Sequence, residues 1–239
     1  MKNPTTAYLA LGSNQGDKLQ FLQKAVHAIF KRIGEVSAIS AIYETPAFGF
    51  EGNDFYNACI QIKTRFSAEE TLDKLLQIED LLGRQRTKSG VYENRVIDLD
   101  LIFFGNEIFS SEKLSIPHPR LQDRKFVLFP LKDVGEDYLH PVLKKTVKQL
   151  TEETKDTSVI KKTSKKLEKP KFKLHPFNYL AIEGNIGAGK TSLATMISQD
   201  FKAKIITERF KDNPFLPKFY KDQARYAFPL EMSFLADRY

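Results

Sequence analysis

The sequence predicts an α+β protein: a split βαβ sandwich on an antiparallel sheet, a lysine-rich linker, then an incomplete P-loop α/β fragment. Three observations carry that prediction. Apolar residues follow period two, then 3.6, in the order strand, helix, strand, strand, helix, strand as far as Phe104. Eight lysines stand against two acids between Lys155 and Lys173. Beyond them lies a glycine-rich run from Gly184 to Thr191 that has the form of a phosphate loop.

In chain order, residues 6–11 read as a strand that ends in the turn-rich Gly12-Ser13-Asn14-Gln15-Gly16-Asp17. Leu19, Leu22, Val26, Ile29, Phe30 and Ile33 then recur at helical spacing, and Gly34 closes the helix. Residues 36–43 form a second strand, which runs into a Pro/Gly-rich loop between Thr45 and Gly52. Residues 55–64 alternate as a third. Ser67-Ala68-Glu69-Glu70 has the capping-box form and opens a helix with Leu72, Leu75, Leu76, Ile78 and Leu82 inward. Residues 97–104 are a fourth strand, apolar apart from its acids and expected to be central. Residues 107–116 are a fifth strand and 126–134 a short helix. The domains are expected at 1–152 and 177–239, joined by a linker at 153–176, with a new strand at 179–183.

Composition narrows the function classes. Hydrophobic residues make up 41% and charged residues 28%, the balance of a globular chain rather than a disordered one. No apolar run approaches the roughly 20 residues that span a bilayer, and Met1-Lys2-Asn3-Pro4 has no signal-peptide form. Cys59 stands alone, so no internal disulfide is expected; a cytoplasmic protein with no membrane partner is the plain reading. The net charge of +7 comes almost wholly from the lysine run, which reads as a solvated tether. A basic RNA-binding module is the alternative from another class, since split βαβ folds serve that purpose. It needs exposed aromatics on a sheet face that here would carry Asp98 and Asp100.

Those two aspartates are the strongest chemical signal in the first domain. Residues i and i+2 of a strand share a face, so Asp98 and Asp100 point together while Leu99 and Leu101 point away. Paired carboxylates on an apolar strand repel and lose hydration, and a divalent cation removes both penalties; a solvent-facing strand with two harmless acids is the bland alternative. Arg84, Arg86 and Arg95 precede them, and His118 and Arg124 follow. Carboxylates for Mg²⁺ framed by cations suit phosphoryl transfer. For an acceptor, the loop from Thr45 through Pro46 to Phe48 offers backbone groups, Tyr56 and Phe126 offer flat faces, and Asn57 offers a polar edge. Together these suit a planar heteroaromatic ring, although by periodicity Tyr56 and Phe126 also read as core.

The ordered set Gly12-Ser13-Asn14, Tyr43-Glu44-Thr45-Pro46, Asp54-Phe55-Tyr56-Asn57-Ala58, Glu79, Gly83-Arg84-Gln85-Arg86, Arg95-Val96-Ile97-Asp98-Leu99-Asp100, Pro117-His118-Pro119 and Asp123-Arg124-Lys125-Phe126-Val127 closely resembles hydroxymethyl-dihydropterin pyrophosphokinase. The resemblance covers about residues 5–150. It implies a ferredoxin-like fold, ATP and 6-hydroxymethyl-7,8-dihydropterin as small-molecule substrates, two Mg²⁺ ions shared by Asp98 and Asp100, and AMP as leaving group. It further implies a pterin site of Thr45, Pro46, Phe48, Tyr56, Asn57 and Phe126, with Glu79, Arg84, Arg86, Arg95, His118 and Arg124 serving ATP and the transferring phosphates. The stretch Gly90-Val91-Tyr92-Glu93-Asn94 departs from the family's Trp-Gly-Pro-like turn, which puts loop closure over ATP in question.

Gly184-Asn185-Ile186-Gly187-Ala188-Gly189-Lys190-Thr191 fits the phosphate-loop pattern between an expected strand and an expected helix. Gly184, Gly189, Lys190 and Thr191 are its candidate nucleotide-binding residues, Thr191 through Mg²⁺. With Thr207-Glu208-Arg209-Phe210, Asp212-Asn213-Pro214-Phe215-Leu216 and an expected helix over 228–239, the segment resembles the start of a deoxynucleoside kinase, in which Glu208 would be the base. Two strands of an open sheet do not bury a core, so the fragment is expected to be inactive as a kinase. Its exposed edge would favour oligomerisation.

Overall fold

Period-two patterning sends Ala7, Leu9 and Leu11 of Thr5–Ser13 (β1) to one face and Tyr8 to the other, and both faces are buried. The structure, a computed structural model, describes residues 3–84, 93–171, 179–185, 187–207 and 213–236. It divides into two units, Met1–Lys171 and Phe172–Tyr239.

In the first unit β1 is followed by helix α1 (Lys18–Arg32), strands β2 (Gly34–Ile39), β3 (Tyr43–Thr45) and β4 (Phe55–Thr64), helix α2 (Ala68–Leu81) and strand β5 (Asp98–Phe104). The expected strand–helix–strand–strand–helix–strand order is present, and every pairing in the main sheet is antiparallel. Asp17 caps α1 by accepting from Gln20 N at 3.0 Å, and Ser67 and Glu70 close the capping box of α2. Both helices lie against the β1 face that carries Leu9: Leu22, Val26 and Ile29 of α1 and Leu75 and Ile78 of α2 join Leu99, Leu101 and Phe104 of β5. The other face packs Tyr8, Cys59, Ile102 and Phe103 against helices α3 (Lys125–Gly135) and α4 (Val147–Glu153). A register shift opposite Tyr8 and Leu9 puts Ile102 and Phe103 together on this second face.

Several expectations are corrected. The strand expected at 36–43 is broken into β2 and β3, both paired to β4. At the break, Ser40 Oγ accepts from Cys59 N and Asp133 accepts from Ala41 N, so side chains replace ladder bonds. Strand β5 is not central: it ends the sheet, bonded to β1 alone. Its outer edge is protected where Leu99 N donates to Glu79 and His118 N donates to Ile102 O. The segment read as a fifth strand is a separate hairpin of β6 (Phe109–Ser110) and β7 (Ser115–Ile116).

The solvated tether is corrected most strongly, because residues 154–171 belong to the first unit. Lys161–Lys162 (β8) pairs with β3, Leu167 packs on the first core and Glu168 exchanges two hydrogen bonds with Gln23.

In the second unit residues 179–185 form no strand. A strand needs a partner for its backbone groups, and none is present there among the described residues. Helix α5 (Lys190–Phe201) follows the phosphate loop, then come α6 (Leu216–Phe219) and α7 (Gln223–Ala236), the last starting before the expected 228. Among the described residues, no helix is long and apolar enough to cross a membrane.

Candidate active site

A cleft opens on the α3 side of the sheet, where β1, β4 and β5 end side by side. Its floor is Ala10 and Gly12 from β1, Asn57 from β4, and Asp98 and Asp100 from β5. A Cβ on Gly12 would lie 3.2 Å from Asn57 Oδ1 and 3.8 Å from Asp98 Cβ, so any side chain there would crowd the floor. One wall is Thr45, Pro46, Phe48 and Phe50, and the other is Arg124, Phe126 and Val127 at the start of α3. The Phe48 and Phe126 rings are 5.8 Å apart and tilted by 51°, and Phe48 is 49% exposed, so an aromatic apolar surface is open at the mouth. Asn57 Nδ2 donates to Thr45 Oγ1 at 2.9 Å, which fixes the amide and leaves Oδ1 as an acceptor.

The acidic end is organised by arginines. Helix α2 stops in a Schellman turn: Gly83, with φ of 90°, donates to Asp80 O, and Arg84 N donates to Glu79 O. That turn folds Arg84 back over Glu79, which is 1% exposed. Glu79 Oε1 accepts from both Arg84 Nη1 and Leu99 N, tying α2, Arg84 and β5 together. Arg84 Nη1 also donates to Asp98 Oδ1 at 2.5 Å, and Arg95 Nη1 donates to Asp98 Oδ2 at 2.8 Å. Burial pulls the Arg84 guanidinium down, but the Asp98 and Glu79 carboxylates outweigh it and hold its pKa above the usual value.

Asp100 stands two residues on from Asp98, on the same face of β5. Burial, and then the neighbouring Asp98 and Glu79 charges, push its carboxyl up to about 7, although Arg124 and Arg84 pull the other way. Both aspartates line the cleft, and a divalent cation would relieve their repulsion. Among the described residues there is no group of three or more His, Cys, Asp and Glu placed to hold a metal. The two cleft carboxylates fit Mg²⁺, which binds through one or two carboxylates, water and substrate phosphates. His118 is drawn down to about 4 by burial and then by Arg124 and Arg120, so it is neutral at pH 7.

Of the expected pterin-site residues, Thr45, Pro46, Phe48, Asn57 and Phe126 line the cleft and Tyr56 does not. Successive residues of β4 face opposite ways, so Tyr56 joins the α1-side core, under Lys18 Nζ at 4.0 Å from its ring. Phe55, in phase with Asn57, takes the aromatic place in the cleft. Of the residues expected to serve ATP and its phosphates, Arg95 and Arg124 line the cleft, Arg84 reaches it through Asp98, and Glu79 stands behind Arg84. Arg86 and Tyr92 lie outside the described residues, as do Ile186 and Glu208. In the second unit Lys190 Nζ donates to the carbonyls of Gly184 and Asn185, Gly189 caps α5, and Thr191 lies in its first turn.

Asn14 is the residue whose part the sequence reading missed. It is 2% exposed and sits at the end of β1. Its Nδ2 donates to Asn53 O at 3.0 Å and to Asn94 Oδ1 at 2.6 Å, while its Oδ1 accepts from Arg95 N at 2.7 Å. One side chain thus joins β1, the end of the Thr45–Gly52 loop and the segment that presents Arg95. The signal was an asparagine, with two donors and two acceptor lone pairs to fill, at the end of a buried strand.

The model of the deoxynucleoside kinase family matches residues 180–239. The 7,8-dihydro-6-hydroxymethylpterin-pyrophosphokinase model matches residues 8–136, more than half the chain. The chain is 35% identical over 150 residues to the 2-amino-4-hydroxy-6-hydroxymethyldihydropteridine pyrophosphokinase of Aquifex aeolicus, a match covering 62% of this chain and 91% of that protein. It is 40% identical over 130 residues to the Bacillus subtilis protein of the same name, covering 54% and 77%. The crystal structure of wild-type Plasmodium falciparum HPPK-DHPS aligns with a TM-score of 0.51 at 19% identity, over 63% of this chain and 45% of that one; this likeness concerns the fold. The chain, an enzyme of the folate-synthesis type, belongs to the 7,8-dihydro-6-hydroxymethylpterin-pyrophosphokinase family.

Proposed function

We propose that the first unit transfers the β,γ-pyrophosphoryl group of ATP to the hydroxymethyl oxygen of 6-hydroxymethyl-7,8-dihydropterin and releases AMP. The observation that carries this reading is the meeting, in one cleft, of an aromatic pocket with the Asp98–Asp100 pair and its arginines. The pterin ring lies against Phe55 and Phe126, with Asn57 Oδ1 accepting from an N–H on its edge. Asp98 and Asp100 would hold two Mg²⁺ ions, which would supply charge neutralisation to the phosphates. The hydroxymethyl oxygen attacks the β-phosphorus and forms a P–O bond as the bond to the AMP oxygen breaks. No covalent enzyme intermediate is required.

The chain's own residues align and screen. Arg84 and Arg95, both paired with Asp98, lie within reach of phosphates that approach that carboxylate. Arg124 brings a positive charge to the cleft wall above Phe126. Neutral His118 can donate one N–H, because its Nδ1 accepts from Arg120 N. The acidic pair on the cleft floor favours metal-bound phosphates over bare nucleic acid, and the lone buried cysteine suits the cytoplasm.

The test is AMP formation from ATP, Mg²⁺ and the pterin. Asp98→Ala and Asp100→Ala are each expected to remove it without loss of the folded state by circular dichroism. Pterin-dependent AMP at wild-type rate from either variant would overturn the assignment.

A further inference from the structure

The lysine-rich stretch fastens both walls of the cleft from behind. Strand β3 is only three residues long, and its outer edge is covered by β8: Tyr43 pairs with Lys162, Glu44 pairs with Lys161, and Thr163 N donates to Ile42 O at 2.9 Å. Thr45, the next residue of β3, holds Asn57 and leads directly into Pro46 and Phe48. A three-residue strand with one neighbour is weakly held, whereas the same strand between two neighbours has both its edges bonded. The opposite wall is tied by the same stretch. Asp156 Oδ2 accepts from Lys125 N at 2.8 Å in the first turn of α3, one residue before Phe126, and Thr154 Oγ1 donates to Gln122 O. Farther along, Lys165 Nζ donates to Tyr56 OH at 2.8 Å and Glu168 is doubly bonded to Gln23 of α1, so the stretch is anchored at both ends.

We propose that residues 154–171 are a positioning strap for the acceptor half of the site, which sets pterin affinity by holding β3 and the start of α3 without touching either substrate. The strap acts on the Thr45–Phe48 and Phe126 walls. The carboxylates and Arg84 are held independently of it, through Glu79 and β5. Its hold on β3 should therefore act on pterin rather than on ATP, whereas the start of α3 also carries Arg124. The proposal rests on the pterin assignment above.

Thr163→Pro in the full chain removes the N–H that bonds Ile42. Thr163→Ala keeps that amide and deletes only a hydroxyl that is buried without a hydrogen-bond partner among the described residues. Asp156→Ala releases the other wall and guards against misfolding of the proline variant. If freed β3 is competent about a tenth of the time, the KM for pterin rises about tenfold. In Thr163→Pro the KM for ATP should stay within about twofold, since β3 carries only acceptor-side residues into the cleft. Amide exchange at 43–45 should accelerate, and Thr163→Ala should match the parent. Equal pterin KM in all chains, or pterin and ATP constants worsening together with the melting temperature in Thr163→Pro, would overturn the strap. Absence of pterin-dependent AMP from the unmodified chain would instead sink the functional assignment, and the strap's role with it.

Discussion

Replacing Asn14 by alanine tests how the site is assembled without touching any residue placed on substrate. The change deletes three side-chain hydrogen bonds and leaves Asn53 O, Asn94 Oδ1 and Arg95 N without that partner. At a net cost of about 1 kcal/mol per bond, the loss is about 3 kcal/mol. For a unit of this size that lowers the melting temperature by roughly 6–12 °C. The functional effect is separable. Arg95 N is fixed by Asn14, and Arg95 Nη1 reaches Asp98 at 2.8 Å, so a loosened Arg95 should lower kcat by about tenfold to a hundredfold. Calorimetry gives the first quantity, and AMP release at saturating substrates, well below the variant's melting point, gives the second. A variant that melts within about 1 °C of the parent and turns over normally would refute the idea that Asn14 joins these segments, since three lost buried bonds must register.

Other outcomes follow from the geometry. Phe55→Ala should raise the pterin KM by about tenfold or more through lost aromatic contact, whereas Tyr56→Phe should leave it within about twofold; fluorescence titration with pterin reads both. Asp100, with its carboxyl pushed up to about 7, must give up a proton before it can bind a cation. The protonated form therefore competes below that value, and the apparent Mg²⁺ requirement should increase about tenfold between pH 8 and pH 6. A requirement that is flat across this range would show Asp100 ionised throughout. The 239-residue chain is expected to form no deoxynucleoside monophosphate from ATP and deoxynucleosides, because α5 buries none of its residues and the strand expected before it is absent from the described residues. Product on a chromatogram would contradict this.

The strong local signals were legible in the sequence. Ser67 and Glu70 announce α2, and the i, i+2 rule puts Asp98 and Asp100 on one face, where both line the cleft. The same rule puts Phe55 rather than Tyr56 beside Asn57; the expectation for Tyr56 came from the resemblance, which carries no strand phase. Thr146 and Gln149 form a capping box that marks α4 and went unread. Strand β8 was not legible, because two lysines added to a sheet edge carry no apolar periodicity and are held by backbone bonds. A run of like charges reads as solvated, and only Leu167 and Glu168, which meet the core and Gln23, distinguish this stretch from a tether. The edge position of β5 was hidden for a related reason. Glu79 and the segment at His118 protect it, so its residues are as apolar as those of a central strand.

The most direct test of the central claim is to follow ATP, Mg²⁺ and 6-hydroxymethyl-7,8-dihydropterin with the enzyme by phosphorus NMR. Transfer at the β-phosphorus predicts the loss of all three ATP signals, one AMP resonance, and a coupled pair from a pyrophosphate ester on the pterin. ADP with a single phosphomonoester resonance would mean attack at the γ-phosphorus and would contradict the account.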